Sequence, residues 1–205
     1  MELIDRLGNA LNATLPGREA HQDVMSYSRE QAKEVRERRS DFREGGVLVL
    51  LYPSQEDWQM VLIERPKYEG VHSGQIAFPG GAREEEDHTL QETALREANE
   101  EVGLDTSKVE VLGALSEVYI PPSNFVVRPY VAFTDSVPEL MKDEREVEQI
   151  LHAPVNDFLL PNAIQEEKIK LYSGVNLKVG AFKHQDHVIW GATAMMIAEF
   201  RRLLV

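Results

Sequence analysis

Three glutamates, Glu97, Glu100 and Glu101, stand at i, i+3 and i+4 directly behind Arg96. On a helix turning about 100° per residue they fall within roughly 100° of arc. Carboxylates placed so closely repel one another unless a cation sits among them. Hard oxygen donors at this density select Mg²⁺ or Mn²⁺, and Mg²⁺ favours sites that the phosphates of a substrate complete. A Glu-rich helix is by default a solvated acidic face. Here Gly80 and Gly81, following Pro79, add a tight loop in which backbone groups approach whatever is bound. The chain has no cysteine and no Ser–His arrangement in a comparable context. Direct attack by water is therefore expected in preference to a covalent intermediate.

The run REANEEVGL, from Arg96 to Leu104, resembles the end of the Nudix box, G-x5-E-x7-R-E-U-x-E-E-x-G-U with U aliphatic, and Ala98 serves as U. Gly81 lies fifteen positions before Arg96 where the general pattern has fourteen, and the leading acid falls on Glu86 or Asp87. A loop one residue longer is similar to that of the coenzyme A pyrophosphatase-like branch, whose signature L-L-T-x-R-S-x3-R-x3-G-x3-F-P-G-G precedes the box. Arg65, Gly74, Phe78, Pro79, Gly80 and Gly81 are in register with it. Gly70 stands at its second arginine, Glu64 and Pro66 replace its Thr and Ser, and Lys67 and His72 are near enough in sequence to supply the missing cation.

The resemblance implies an α/β fold, a Nudix-type α/β/α sandwich with a mixed central sheet between helices. It implies Mg²⁺ or Mn²⁺ held by Glu97, Glu100 and Glu101, with a backbone carbonyl from Gly80 or Gly81, polarising a diphosphate and acidifying a water. Arg96 cannot be a base, and its fork suits orienting one of the glutamates. A further glutamate from a later loop or helix completes such sites or acts as base, and Glu146 is the candidate. Substrate contacts are expected from Arg65, Lys67, His72, Gly80 and Gly81. Three functions follow: hydrolysis of coenzyme A or its thioesters, hydrolysis of another nucleoside diphosphate such as ADP-ribose or a dinucleoside polyphosphate, or nucleotide sensing without cleavage. Retention of three mutually repelling carboxylates speaks against the third.

These groups need elements to hold them. Residues 90–102 have helical composition, with Asp87 or Thr89 as N-cap, Gly103 as stop, and Ala94, Leu95, Ala98 and Val102 as the packing stripe. The apolar run 47–52, between Gly45-Gly46 and Pro53, predicts a buried strand in a hairpin with 60–64. Strands are expected at 109–119, 126–133, 168–172 and 179–184. The loop Pro121-Pro122-Ser123-Asn124 places Tyr119, Asn124 and Phe125 either beside a nucleobase or as ordinary core and rim aromatics. EREVEQIL, residues 144–151, reads as a short helix, and His184 and His187 around Asp186 as a turn between strand and helix. A last helix runs through Leu204 and packs through Ala194, Ile197, Ala198 and Phe200.

Leu3, Ile4, Leu7 and Leu11 predict an N-terminal docking helix, followed by a charged segment, residues 18–44, that crosses the surface as helix or loop. Its cluster of Arg36, Arg38, Arg39 and Arg43 reads as solvated surface or as a phosphate contact. Residues 1–44 are thus a helical extension and 45–205 the hydrolase-like domain. A net charge of −13 without a basic stripe excludes a nucleic-acid scaffold and requires metal ions to screen an anionic substrate. The expected partner is a small nucleoside diphosphate, with no membrane and no nucleic acid, and a homodimer is left open. No membrane-spanning run or signal peptide is read in the sequence, and the lack of cysteine fits a cytoplasmic setting.

Overall fold

The structure, a computed structural model, describes residues 2–25, 30–55, 57–70, 72–171 and 174–205. Helix α1 (Glu2–Leu11), α2 (Arg18–Gln22) and α3 (Ala32–Arg38) precede β1 (Arg43–Pro53), β2 (Trp58–Glu64), β3 (Ile76–Ala77) and β4 (Gly80–Ala82). After α4 (Leu90–Val102) come β5 (Glu110–Ala114), β6 (Val118–Ile120), β7 (Phe125–Phe133) and β8 (Gln149–Pro154). The chain closes with α5 (Val155–Leu159), β9 (Gln165–Lys170), β10 (Asn176–His184), β11 (His187–Ile189) and α6 (Gly191–Arg202).

The predicted hairpin is present, with Leu51 opposite Met60. On its other edge β1 runs parallel to β7, pairing Val49 with Val131. Beside the antiparallel pairs, that one parallel ladder makes the central sheet mixed. Near its start β1 also pairs antiparallel with β4, Gly46 opposite Gly81. Successive residues of β1 face opposite sides. Leu48 and Leu50 pack with Ala94, Ala98 and Val102 of α4, whereas Val49 and Leu51 join Ile4, Leu7 and Leu11 of α1 and Ala194, Ile197 and Phe200 of α6. A strand covered on both faces reads as one continuous apolar run, which is why 47–52 was legible. Among the described residues no helix is long and apolar enough to cross a membrane.

Three expectations are corrected. Residues 144–151 are not a helix: Asp143 accepts the Arg145 amide to form a turn, and β8 then pairs with β2, Leu151 opposite Leu62. The open edge of β2 outweighs the helical composition, and Leu151 and Ala153 bury at period two. His184 and His187 face each other across a two-residue hairpin joining β10 to β11, so the turn links two strands. Residues 18–44 are not merely surface, because Ala20, His21, Val24, Ala32 and Val35 are buried. The strand expected at 168–172 is observed as β9, and Tyr172 lies outside the described residues, as does Glu56 of the first hairpin loop.

Candidate active site

Helix α4 is fixed at both ends by local chemistry. The Thr89 side chain accepts the Glu92 amide, the Glu92 carboxylate reaches back to the Thr89 amide, and Gly103 ends the helix with φ 66°. Gly46 lets the helix settle on β1, since a Cβ there would lie 2.1 Å from the Leu90 carbonyl oxygen. Docking of α4 in turn brings Glu97 and Glu101 over β4. A Cβ on Gly81 would stand 2.5 Å from the Glu97 carboxylate, so the paired glycines form a cradle that only bare backbone fits.

Glu101 is 1% exposed. One of its oxygens accepts the Gly80 amide at 2.8 Å, and the other stands 3.8 Å from an Arg65 guanidinium nitrogen. Burial dominates and pushes its pKa up to about 7; Arg65 and the Gly80 amide oppose the shift, and the nearby Glu97 and Glu146 add to it. Glu97 is also raised, first by burial, with Arg96 opposing and Glu100 and Glu146 reinforcing. Glu100 is the outermost of the three, and one Arg96 nitrogen lies 3.1 Å from Glu97 and 3.0 Å from Glu100. Among the described residues no three acidic or histidine side chains converge tightly enough to hold an ion as they stand.

The rest of the Arg96 fork is planted on Asp87, at 3.1 and 2.9 Å, with a further bond to the Ala82 carbonyl. That pairing holds the Asp87 carboxyl down at about 2, and Thr93 and the Glu84 amide bind it too. Asp87 is therefore the acid that anchors Arg96, and Thr89 is the helix cap. The sequence offered Asp87 as leading acid or as N-cap and did not show it as the anchor of Arg96.

Glu146 sits exposed on the turn before β8, close enough to Glu97 and Glu101 for its charge to raise both. Arg65 donates to the Gly80 carbonyl at 3.1 Å, tying β2 to the glycine loop, so this carbonyl is already engaged. Lys67 is exposed on the following loop, and His72 meets Gln75 at 3.1 Å. Asn124, at φ 52°, donates to the Asp41 carbonyl and accepts from the Tyr119 hydroxyl, which commits its amide to holding the loop. The ring of Phe125 packs where Gly45 lacks a side chain, and the Arg43 guanidinium stacks on it at 4.6 Å.

Residues 43–173 match the family model of the NUDIX domain. Two proteins named "Uncharacterized Nudix hydrolase NudL" are similar to the chain. That of Photorhabdus laumondii is 34% identical over 62% of this chain and 66% of its own length, and that of Yersinia enterocolitica is 36% identical over 67% and 70%. The chain thus spans about two thirds of the length of these relatives. The crystal structure of a MutT/nudix family protein from Enterococcus faecalis shares the fold, with a TM-score of 0.53 at 19% identity, covering 81% of this chain and 63% of that one.

Proposed function

Since the chain belongs to the Nudix hydrolase family, a family of pyrophosphohydrolases, we propose that it cleaves the diphosphate of coenzyme A or its thioesters at the α4–β4 cradle. The observation that carries the reading is Glu101, a carboxylate buried beside Glu97 with its pKa raised to about 7. Groups so perturbed in a cleft mark functional sites. The donors are all oxygen, and the positive charge of Arg65 and Arg96 does not offset the burial of the pair, which fits a hard divalent ion, Mg²⁺ or Mn²⁺. Glu97, Glu100 and Glu101, with the Gly81 carbonyl, are the residues that would hold it.

When bound, such an ion polarises a diphosphate and acidifies the attacking water. The chain's own part is positional. Arg96, braced on Asp87, keeps Glu97 and Glu100 in place, and Arg65 fixes the loop whose amide orients Glu101. Glu146, exposed at the rim, is the group we assign to accept the proton from water. Lys67 and His72 stand on the loop that carries the coenzyme A-like signature and would meet the substrate's outer phosphate. Residues 1–44 serve as an extension docked on the hydrolase domain, and we assign the protein to the cytoplasm, where a cysteine-free chain needs no oxidising compartment.

The test is kcat/KM with Mg²⁺ for coenzyme A, dephospho-coenzyme A and ADP-ribose under one condition. A charge-assisted phosphate contact contributes about 1.5–3 kcal/mol, so coenzyme A should lead dephospho-coenzyme A by about tenfold or more. ADP-ribose ahead of both would transfer the assignment to another nucleoside diphosphate, the reading that Gly70 favours by lacking the signature's arginine.

A further inference from the structure

A cavity of about 660 Å³ opens at the β6 edge of the sheet, walled by α2, α3 and one side of α6. It does not belong to the carboxylate cradle. At the level of Gly81 the strands run β4, β1, β7, β6, through the pairs Gly81 with Gly46, Gly46 with Arg128, and Val127 with Val118. Three strand spacings put β6 about 14 Å from Gly81, and Arg128, on β7, stands two spacings or about 10 Å from it.

The lining has a charge opposite to that of the molecule. In a chain of net charge −13, the described residues of the wall carry Arg18, Lys33, Arg36 and Arg128 against Glu30 and Glu117. Arg36 is committed to Glu44 and Glu117, each at 2.8 Å, Arg18 lies 3.8 Å from Glu34, and Lys33 makes a looser, solvent-exposed contact with Glu37 at 4.0 Å. Arg128 is exposed, and no hydrogen bond or ion pair with a described residue engages its guanidinium. Beneath the charges the floor is apolar, built by Leu15, Met25, Leu115 and Met195. His21 closes it from below, buried and fixed through Nε2 to Glu199 at 3.1 Å. A concave site of this volume, with an apolar floor and a cationic rim, has the dimensions and chemistry of a small phosphorylated ligand. A guanidinium fork matches phosphate oxygens, and low-dielectric walls focus the field of the rim.

We propose that this cavity is an accessory binding site for a nucleoside phosphate, with the nucleoside on the apolar floor and the phosphates at Arg128 and Lys33. The site lies apart from the cradle and needs no divalent ion. The test is calorimetric titration of the full chain with ADP in excess chelator. One ADP should bind per chain, Arg128→Glu and Lys33→Glu should each weaken binding about tenfold or more, and Glu97→Gln should leave it unchanged. Adenosine, which lacks the phosphates, should bind at least about tenfold more weakly than ADP. Both charge reversals are at exposed positions, and an unchanged melting temperature confirms that they fold. Absence of ADP binding, full affinity in both charge-reversed variants, or loss of binding in Glu97→Gln would overturn the proposal. Because the readout is binding without metal, it fails or stands separately from the hydrolase assignment, which rests on turnover with Mg²⁺.

Discussion

Glu101 and Glu199 are both glutamates taken almost wholly out of water, at 1% and 0% exposure, and their surroundings answer burial in opposite ways. Around Glu199, on α6, the chain gathers donors: the Gly17 amide, the Ser116 amide and hydroxyl, and Nε2 of His21, the hydroxyl at 2.7 Å. Burial alone would raise its pKa, but His21 and Ser116 more than offset that, and the group ends below its ordinary value. Around Glu101 the chain supplies one amide and a guanidinium 3.8 Å away, and burial wins. Burial alone therefore does not separate a carboxylate held in place by donors from one left short of them. The count of donors around it does.

That contrast can be broken most severely at Glu199. Glu199→Ala strands the donors of Gly17, Ser116 and His21, and should cost about 4 kcal/mol in urea or thermal unfolding. A parental melting curve would mean that the cluster is not a structural pin. Next in size, Glu97→Gln, Glu100→Gln or Glu101→Gln should lower turnover at least about a hundredfold, roughly 2.7 kcal/mol, with no comparable loss of stability. Near-parental activity of these variants across a Mg²⁺ titration would remove the metal assignment.

The pH dependence of stability sharpens the same contrast. Folded Glu101 holds its proton up to about 7, whereas the unfolded chain releases it near 4.5, so the folded state binds more protons within that window. Its contribution therefore declines as pH rises from about 4.5 to about 7, by at most about 1.4 kcal/mol per pH unit. Glu199, shifted downward, contributes stability that is present above 4.5 and lost on acidification. Denaturant melts of Glu101→Gln without metal should lack the Glu101 decline; an unchanged profile would count against the raised pKa. Smallest, Mg²⁺ at ten times its dissociation constant should stabilise the parent by about 1.4 kcal/mol and Glu101→Gln by clearly less, as read by melting temperature. Equal shifts in both would place the ion elsewhere.

Local signals were the legible ones. The helix 90–102 could be read residue by residue because its cap, its packing stripe and its stop are all written within the segment itself. So could the hairpin, whose strands are apolar on both faces. The Asp87–Arg96 pair was only half legible: the motif pointed to an acid near 86 or 87, but the anchoring bond depends on how the loop returns to the helix. Residues 144–151 were misread because their composition is helical, while their pairing with β2 is a fact about another part of the chain. Asn124 looked like a base-reading amide, and its bond to Asp41 lies 83 positions away. Glu199 could not be identified at all, since its partner His21 is 178 positions distant.

That last separation bears on how the protein is made. A ribosome adding about 5–20 residues per second delivers His21 on the order of ten seconds or more before Glu199. The α4–β4 cradle is complete once residue 102 has been made, yet the segment around residues 17–21 still has nothing to close on until Glu199 arrives. Docking of α6 is then the step that fastens the segment around residues 17–21 to one made 178 positions later. A nascent chain stalled between residues 150 and 199 would carry the α4–β4 segment complete and the segment around residues 17–21 untied from α6, open to proteases and to chaperones.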